Sequence, residues 1–330
     1  MIKGNLSNDA RYAFAIGLVR AKEAKLLDKG RYDRLLEAKS KEDFLSLLSD
    51  TPYAIFQEED PDKLFEKARI ENLSFFYRYC LDEWVLDIFR LREDFYNLKL
   101  IIKAKFSKID PSPLLSPLGK YPLEVWKGVL RDEVKGLPDI FRKTITRAIQ
   151  SYYEEKDPIY LDIYPDKAMV ESLSLSSQHN GFLRGYFSIY SDLENLRTFL
   201  RIKFLQEDTS LFSSAFISSG TLSFSIFKEV FTEDLKGVIH RFGNTPYREL
   251  LERGILYLLD NNSFILLERL IHEYLLEYLK SSRYLTFGFE PLVAYLLFKE
   301  TEIQNLQKIW IGISQKLPRD RIKEMVVYAS

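Results

Sequence analysis

The chain is poor in several residue types, and each scarcity excludes something. It holds one cysteine, Cys80, among 330 residues, so no disulfide can form within it. A lone thiol fits a reducing compartment, the cytosol. Three histidines (His179, His240, His272) and one cysteine, none at a zinc-ligand spacing, do not make a zinc site. Net charge is almost absent: 47 Lys and Arg face 48 Asp and Glu. That balance argues against a chain whose main task is covering nucleic-acid phosphates. Long apolar runs are missing too. Ala13 to Val19 and Leu292 to Phe298 are uninterrupted for seven residues each, where a membrane span needs about 20. An acidic Asp9 and the lack of a long apolar core argue against a signal peptide. Glycine (14) and proline (12) are scarce, which favours long elements and few hairpins.

What is present is ordinary globular material, 46% hydrophobic and 29% charged, enough for a sizeable core and too apolar for global disorder. The periodicity is helical nearly throughout. Tyr12, Ala13, Ile16, Ala24 and Leu27 form a stripe over residues 10–28, with Gly30 at the expected C-terminal cap. Ser40 with Asp43 resembles a capping box. Asp60-Pro61 is a helix start, and from Asp62 to Asp110 no Gly or Pro intervenes, which allows one very long helix or two with a tight break. Residues 109–138 carry eight Pro and Gly and read as a linker. Ser172 to Gly181 and Ser213 to Ser225 read as further breaks. Thr245-Pro246, Ser263, Glu290-Pro291 and Pro318 read as later helix starts. No Asn-Gly or Asp-Gly turn sits between alternating runs, so strands are not expected. The fold class is all-α.

One short pattern occurs three times: acid-x-x-Asn-Leu-x-x-apolar. Its copies are Asp94, Asn97, Leu98; Asp192, Asn195, Leu196; and Glu302, Asn305, Leu306. The asparagines lie 98 and 110 residues apart, about a third of the chain each time. The acid, the leucine and the last apolar residue share one helical face. Asparagine is a poor mid-helix residue because its amide competes with the backbone. It reads first as a buried hydrogen-bonding point and second as a partner contact. A second echo, Thr51-Pro52-Tyr53 and Thr245-Pro246-Tyr247, precedes the first and third copies. The repeat suggests one all-α body over residues 1–330 with three lobes, 1–110, 111–210 and 211–330.

Chemistry-bearing motifs are not found. Gly119-Lys120 comes nearest a phosphate-binding loop, but the upstream glycine position holds Leu114 and the next residue is Tyr121. No GxGxxG and no GxSxG occurs. No cofactor is expected. Basic residues beside the repeat, Lys99 and Lys103, then Arg197 and Arg201, share i, i+4 faces. They read either as a solvated face paired with intrachain acids or as a cavity lining that meets acidic partner groups. The third copy has Gln307 and Ile311 there.

Several segments together resemble a known family. These are Tyr12-Ala13-Phe14-Ala15, Val19 to Leu27 (VRAKEAKLL), Arg31 to Ala38 (RYDRLLEA), Asp94 to Lys105 (DFYNLKLIIKAK), Pro291 to Tyr295 (PLVAY) and Lys299 to Leu306 (KETEIQNL). In order, spacing and total length the chain is similar to the C subunit of the bacterial and archaeal V-type (A-type) rotary ATPases, whose eukaryotic counterpart is the d subunit. The middle third departs most. The resemblance implies an all-helical funnel of three pseudo-symmetric lobes. It implies a non-catalytic rotor component, bound to the central axle on one side and to the membrane rotor ring on the other. It also implies a cytoplasmic place peripheral to the membrane, with neither nucleotide nor nucleic acid bound. The rival reading is a free-standing helical scaffold for peptides. Its signature would be a repeat of 20 to 50 residues, and the spacing here is near 100.

Overall fold

Local signals set most helix boundaries in the computed structural model, which describes residues 9–107, 109–133 and 136–328. Every regular element among them is helical. The first helices are α1 (Ala13–Glu23), α2 (Lys29–Leu35), α3 (Lys41–Leu48) and α4 (Pro61–Tyr79). The stripe over residues 10–28 is thus shorter than its periodicity suggests. Asp28 accepts from the Arg31 N–H at 2.8 Å and starts α2, so Gly30 lies inside a helix instead of ending one. Ser40 caps α3 through the Asp43 N–H, and Asp60 caps α4 ahead of Pro61. The Gly- and Pro-free stretch is two helices. Cys80 takes an extended conformation, and α5 (Glu83–Ser107) follows.

Next come α6 (Leu123–Leu130), α7 (Asp139–Glu155), α8 (Tyr160–Ser176), α9 (Gly181–Phe204), α10 (Thr209–Ala215) and α11 (Phe224–Glu229). Asn180-Gly181 is a helix start: the Asn180 side chain accepts from the Leu183 N–H. The last group is α12 (Leu235–Arg241), α13 (Arg248–Asn261), α14 (Ile265–Lys280), α15 (Glu290–Ser314) and α16 (Arg319–Met325).

The chain divides into two compact units. One is built from residues 82–232, the other from 9–81 together with 233–328. In the first, Phe95, Leu98, Ile101 and Ile102 of α5 pack with Trp126, Phe141 and Leu161. In the second, Tyr32, Phe44 and Phe65 pack with Leu306 and Ile309 of α15 and Ile322 of α16. Residues 109–138 are not a linker. Leu115, Trp126, Val129 and Leu137 are buried in the first core. The prolines that made the segment look loose serve as starts instead: Pro122 precedes α6 and Pro138 precedes α7. A proline costs nothing there, since the first helical N–H groups have no intrahelical partner.

Candidate functional site

The three repeat asparagines lie mid-helix, on α5, α9 and α15, and all are buried, at 0%, 1% and 0% exposure. Each reaches out of its helix and takes the backbone of one loop residue at both ends. Asn97 Nδ2 donates to the Ser116 carbonyl at 2.8 Å, and Asn97 Oδ1 accepts from the Ser116 N–H at 2.7 Å. Asn195 does the same to Ile217, with both distances 2.8 Å. Asn305 does it to Val327, whose N–H lies 3.0 Å from Oδ1. The primary amide is the side chain suited to this, since it carries a donor and an acceptor side by side. Leu98, Leu196 and Leu306, the next residues, are each fully buried. The motif therefore packs its helix with one residue and ties a distant loop with the other.

The acid one turn earlier extends the hold in two copies. Asp94 accepts from the Lys120 N–H at 2.9 Å and the Tyr121 N–H at 3.3 Å. Asp192 accepts from the Thr221 and Leu222 N–H groups, both at 2.8 Å, and from the Thr221 hydroxyl. Glu93 adds a bond from the Ser116 hydroxyl. Burial pushes the Asp94 carboxyl up to about 6, against the two amides that favour its charged form. Glu302, one methylene longer, does something else. It accepts from the Leu27 N–H, from the Tyr53 hydroxyl at 2.9 Å and from Lys299 Nζ at 2.6 Å.

Two of the three loops carry a glycine that the repeat pattern did not reveal. Gly119 and Gly220 each follow the anchored residue by three positions. A Cβ on Gly119 would come 2.2 Å from Asp94 Oδ1, and one on Gly220 would come 2.1 Å from Asp192 Oδ1. Only the step from anchor to glycine is shared between these two loops, and it is visible only once the anchors are known. Gly220→Ala is expected to cost about 2–4 kcal/mol, because the methyl group displaces a buried carboxylate from three hydrogen bonds. Urea unfolding checks this. A loss below about 1 kcal/mol would mean that the carboxylate moves aside freely.

The Thr-Pro-Tyr echo is a matched pair of turns in the second unit. Thr51 and Thr245 hydroxyls donate to the Leu48 and Phe242 carbonyls at 2.6 and 2.7 Å. They accept from the Tyr53 and Tyr247 N–H groups at 3.2 and 3.3 Å, and both tyrosines are buried.

Three of the four basic residues beside the repeat have acids of their own unit against them. Lys99 Nζ lies 2.8 Å from Asp166 and 2.9 Å from Asp162, and Lys103 Nζ lies 2.7 Å from Asp162. Arg197 pairs with Glu194 at 2.8 Å, and Arg201 is exposed in the last turn of α9. Cys80 is buried, its Sγ 3.7 Å from the Tyr12 hydroxyl, and His179 and His240 are exposed. Among the described residues no group of three or more His, Cys, Asp or Glu is placed to hold a metal ion.

A latch of this kind holds loops to helices. Comparison with known proteins gives the family. The profile of the family described as ATP synthase (C/AC39) subunit matches residues 15–325. The chain belongs to this family. Its relatives include the C subunit of the A-type ATP synthase of Methanocaldococcus jannaschii, 26% identical over 96% of this chain and 86% of the relative. The C subunit of the V-type sodium ATPase of Enterococcus hirae is 27% identical over 93% of this chain and 95% of its own length. The C subunit of the A-type ATP synthase of Pyrococcus abyssi is 23% identical over 96% and 90%. The C subunit is a non-catalytic member of its complex, so the chain is not itself an enzyme. As a member of that family, it works with the other components of a rotary ATPase. No helix among the described residues is long and apolar enough to cross a membrane.

Proposed function

We propose that this chain is the rotor component that couples the central axle to the membrane rotor ring, so that ATP hydrolysis or synthesis is linked to H+ or Na+ transport. The observation that carries the reading is the family match along nearly the whole length, with relatives named as the C subunit of both A-type and V-type complexes. The triple latch supports it physically. A coupling that transmits torque has to resist twist, and helices tied to loops by buried bidentate bonds in close-packed cores deform little. In this reading the three latches mark three related lobes of a funnel. The chain sits on the water side of the membrane and reaches it only through the ring.

Co-purification tests the proposal. The full chain is mixed with the axle proteins and, separately, with detergent-solubilised ring from the same organism, then passed over a size-exclusion column. Co-elution with each is the expected result. Elution alone, with a helical spectrum and partners competent to assemble, would overturn it.

A further inference from the structure

Two turns of the second unit face each other across an apolar cavity. One is residues 36–40, between α2 and α3; the other is residues 315–318, between α15 and α16. The cavity measures about 430 Å³, within the ~300–1,000 Å³ typical of a site for one small molecule. Its walls are Leu36, Ala38, Ile313, Leu317 and Ile322, and its charge comes from Glu37, Lys39, Lys316 and Arg319.

Both turns are anchored. The Leu36, Glu37 and Ala38 N–H groups donate to the Tyr32, Arg34 and Leu35 carbonyls at 3.0, 3.0 and 3.2 Å. After α15, the Lys316 N–H donates to the Ile313 carbonyl and the Leu317 N–H to the Gly312 carbonyl, both at 2.9 Å. This closes the helix with Lys316 at φ 56°, the left-handed region. Helix α16 lies close on α15, since a Cβ on Gly312 would come 2.6 Å from Ile322 Cγ1. Arg319, at the head of α16, reaches across to the first turn. It donates to the Asp33 carbonyl at 3.2 Å and to the Glu37 carboxylate at 3.4 Å. The cavity therefore lies between fixed walls, and its lysines project from fixed backbone.

The charge does not cancel. Three cations and one carboxylate in the lining leave +2, and the carboxylate, Glu37, is already taken by Arg319. Lys39 and Lys316 are exposed, and neither ammonium has an ion pair among the described residues. Neighbouring acids are engaged elsewhere. Asp33 pairs with Lys323 at 2.9 Å, and Asp43 accepts from the Lys39 backbone N–H at 3.3 Å. Exposed residues that line a cavity stand at its mouth. An apolar interior with two free ammonium groups at the mouth suits a molecule with an apolar tail and an anionic head.

We propose that this cavity binds a single-chain anionic amphiphile, a fatty acid or a single-chain phospholipid. The tail lies against Leu36, Ile313 and Leu317, and the head accepts hydrogen bonds from Lys39 and Lys316. The methylene stems of the two lysines extend the apolar wall toward the head. The site goes beyond the coupling function and does not depend on it, for it lies within one unit and uses none of the latch asparagines.

Isothermal titration calorimetry of the full chain tests this with decanoate, decyl phosphate, decanol and acetate, each below any micelle-forming concentration. Decanoate or decyl phosphate is expected to bind at one saturable site, decanol at least about tenfold more weakly, and acetate not at all over the same range. The double variant Lys39→Ala, Lys316→Gly is expected to weaken the anionic probe about tenfold, the sum of two half-exposed ion pairs, and to leave decanol unchanged. Glycine suits the positive φ at 316, so this variant keeps the turn. Leu317→Ser is expected to weaken both the anionic probe and decanol several-fold. Circular dichroism confirms that the variants fold. Tighter binding of decanoate assigns the site to a fatty acid, and tighter binding of decyl phosphate to a phospholipid; either supports the proposal. No saturable binding of either anionic probe would overturn it. Equal binding of decanol and decanoate, or a double variant that binds like the natural sequence, would overturn the role of the lysines. Acetate binding as tightly as decanoate would overturn the cavity as the seat of the tail.

Discussion

Lys299→Met is expected to destabilise the unit formed by residues 9–81 and 233–328 by about 3–5 kcal/mol. The reason is the carboxylate it leaves behind. Glu302 is 2% exposed, and Lys299 is its only ion-pair partner among the described residues. The lysine side chain is itself only 15% exposed, with its ammonium 4.1 Å from the centre of the Tyr53 ring. Burial and the neighbouring Glu302 charge hold the Tyr53 hydroxyl protonated well above the usual range, so it stays a donor to Glu302. With the lysine gone, Tyr53 and the Leu27 N–H remain, and two neutral donors do not replace a cation in a dry site. Adding Glu302→Gln in the same chain removes the stranded charge and is expected to recover part of the loss. Urea unfolding of the single and double variants measures both effects. A single-variant loss below about 1 kcal/mol, the range of an exposed ion pair, would show that the site is wetter than its burial indicates.

Asn195→Ala is the second large effect. It removes both bonds to Ile217 and leaves a buried N–H and carbonyl without partners, at about 1–3 kcal/mol for each orphaned group. The net cost is expected to be about 2–4 kcal/mol. A structural readout accompanies it. The Ile217 N–H should exchange with solvent much faster in the variant, while core amides of α5 in the same unit, such as that of Leu98, change little. Unchanged protection at Ile217 would mean that the loop is held by its own packing and that Asn195 is incidental. The parallel changes at Asn97 and Asn305 should behave alike, since each asparagine holds its loop residue by the same two bonds.

Much of the helix map was legible because its signals are local. Asp60 before Pro61, Ser40 three residues before Asp43, and Pro318 at the head of α16 act on N–H groups within one turn, so a short window holds the information. The same locality misled where two signals competed. Gly30 looked like a cap until Asp28 started a helix across it. Residues 109–138 looked like a linker because proline and glycine counts do not say what a segment packs against. Trp126 and Val129 carry that segment into a core.

The latch shows the same division within one motif. The pattern around Asn97, Asn195 and Asn305 could be found by eye, and a polar residue on a buried face has to be bonded to something. Its partners lie 19, 22 and 22 residues further along, in loops that share no residue type at the anchored position. A side chain that binds backbone leaves no imprint on the partner's side chain, so Ser116, Ile217 and Val327 were invisible. The basic residues were ambiguous for a related reason. Lys99 meets Asp166 across 67 residues, and no helical spacing encodes that meeting.

By itself, then, the sequence determined that this protein is all-helical, that it repeats one acid and asparagine motif three times, and that it resembles the rotary ATPase family to which it belongs. Periodicity, caps and repeats are properties of neighbours along the chain. Only the tertiary structure decided that Asp94 and Asp192 hold loops whereas Glu302 gathers Leu27, Tyr53 and Lys299. It alone decided that Lys99 and Lys103 already have acids against them. Those outcomes depend on groups tens to hundreds of residues apart being brought within about 3 Å, hydrogen-bond reach. Burial of the apolar faces, not any local rule, brings them there.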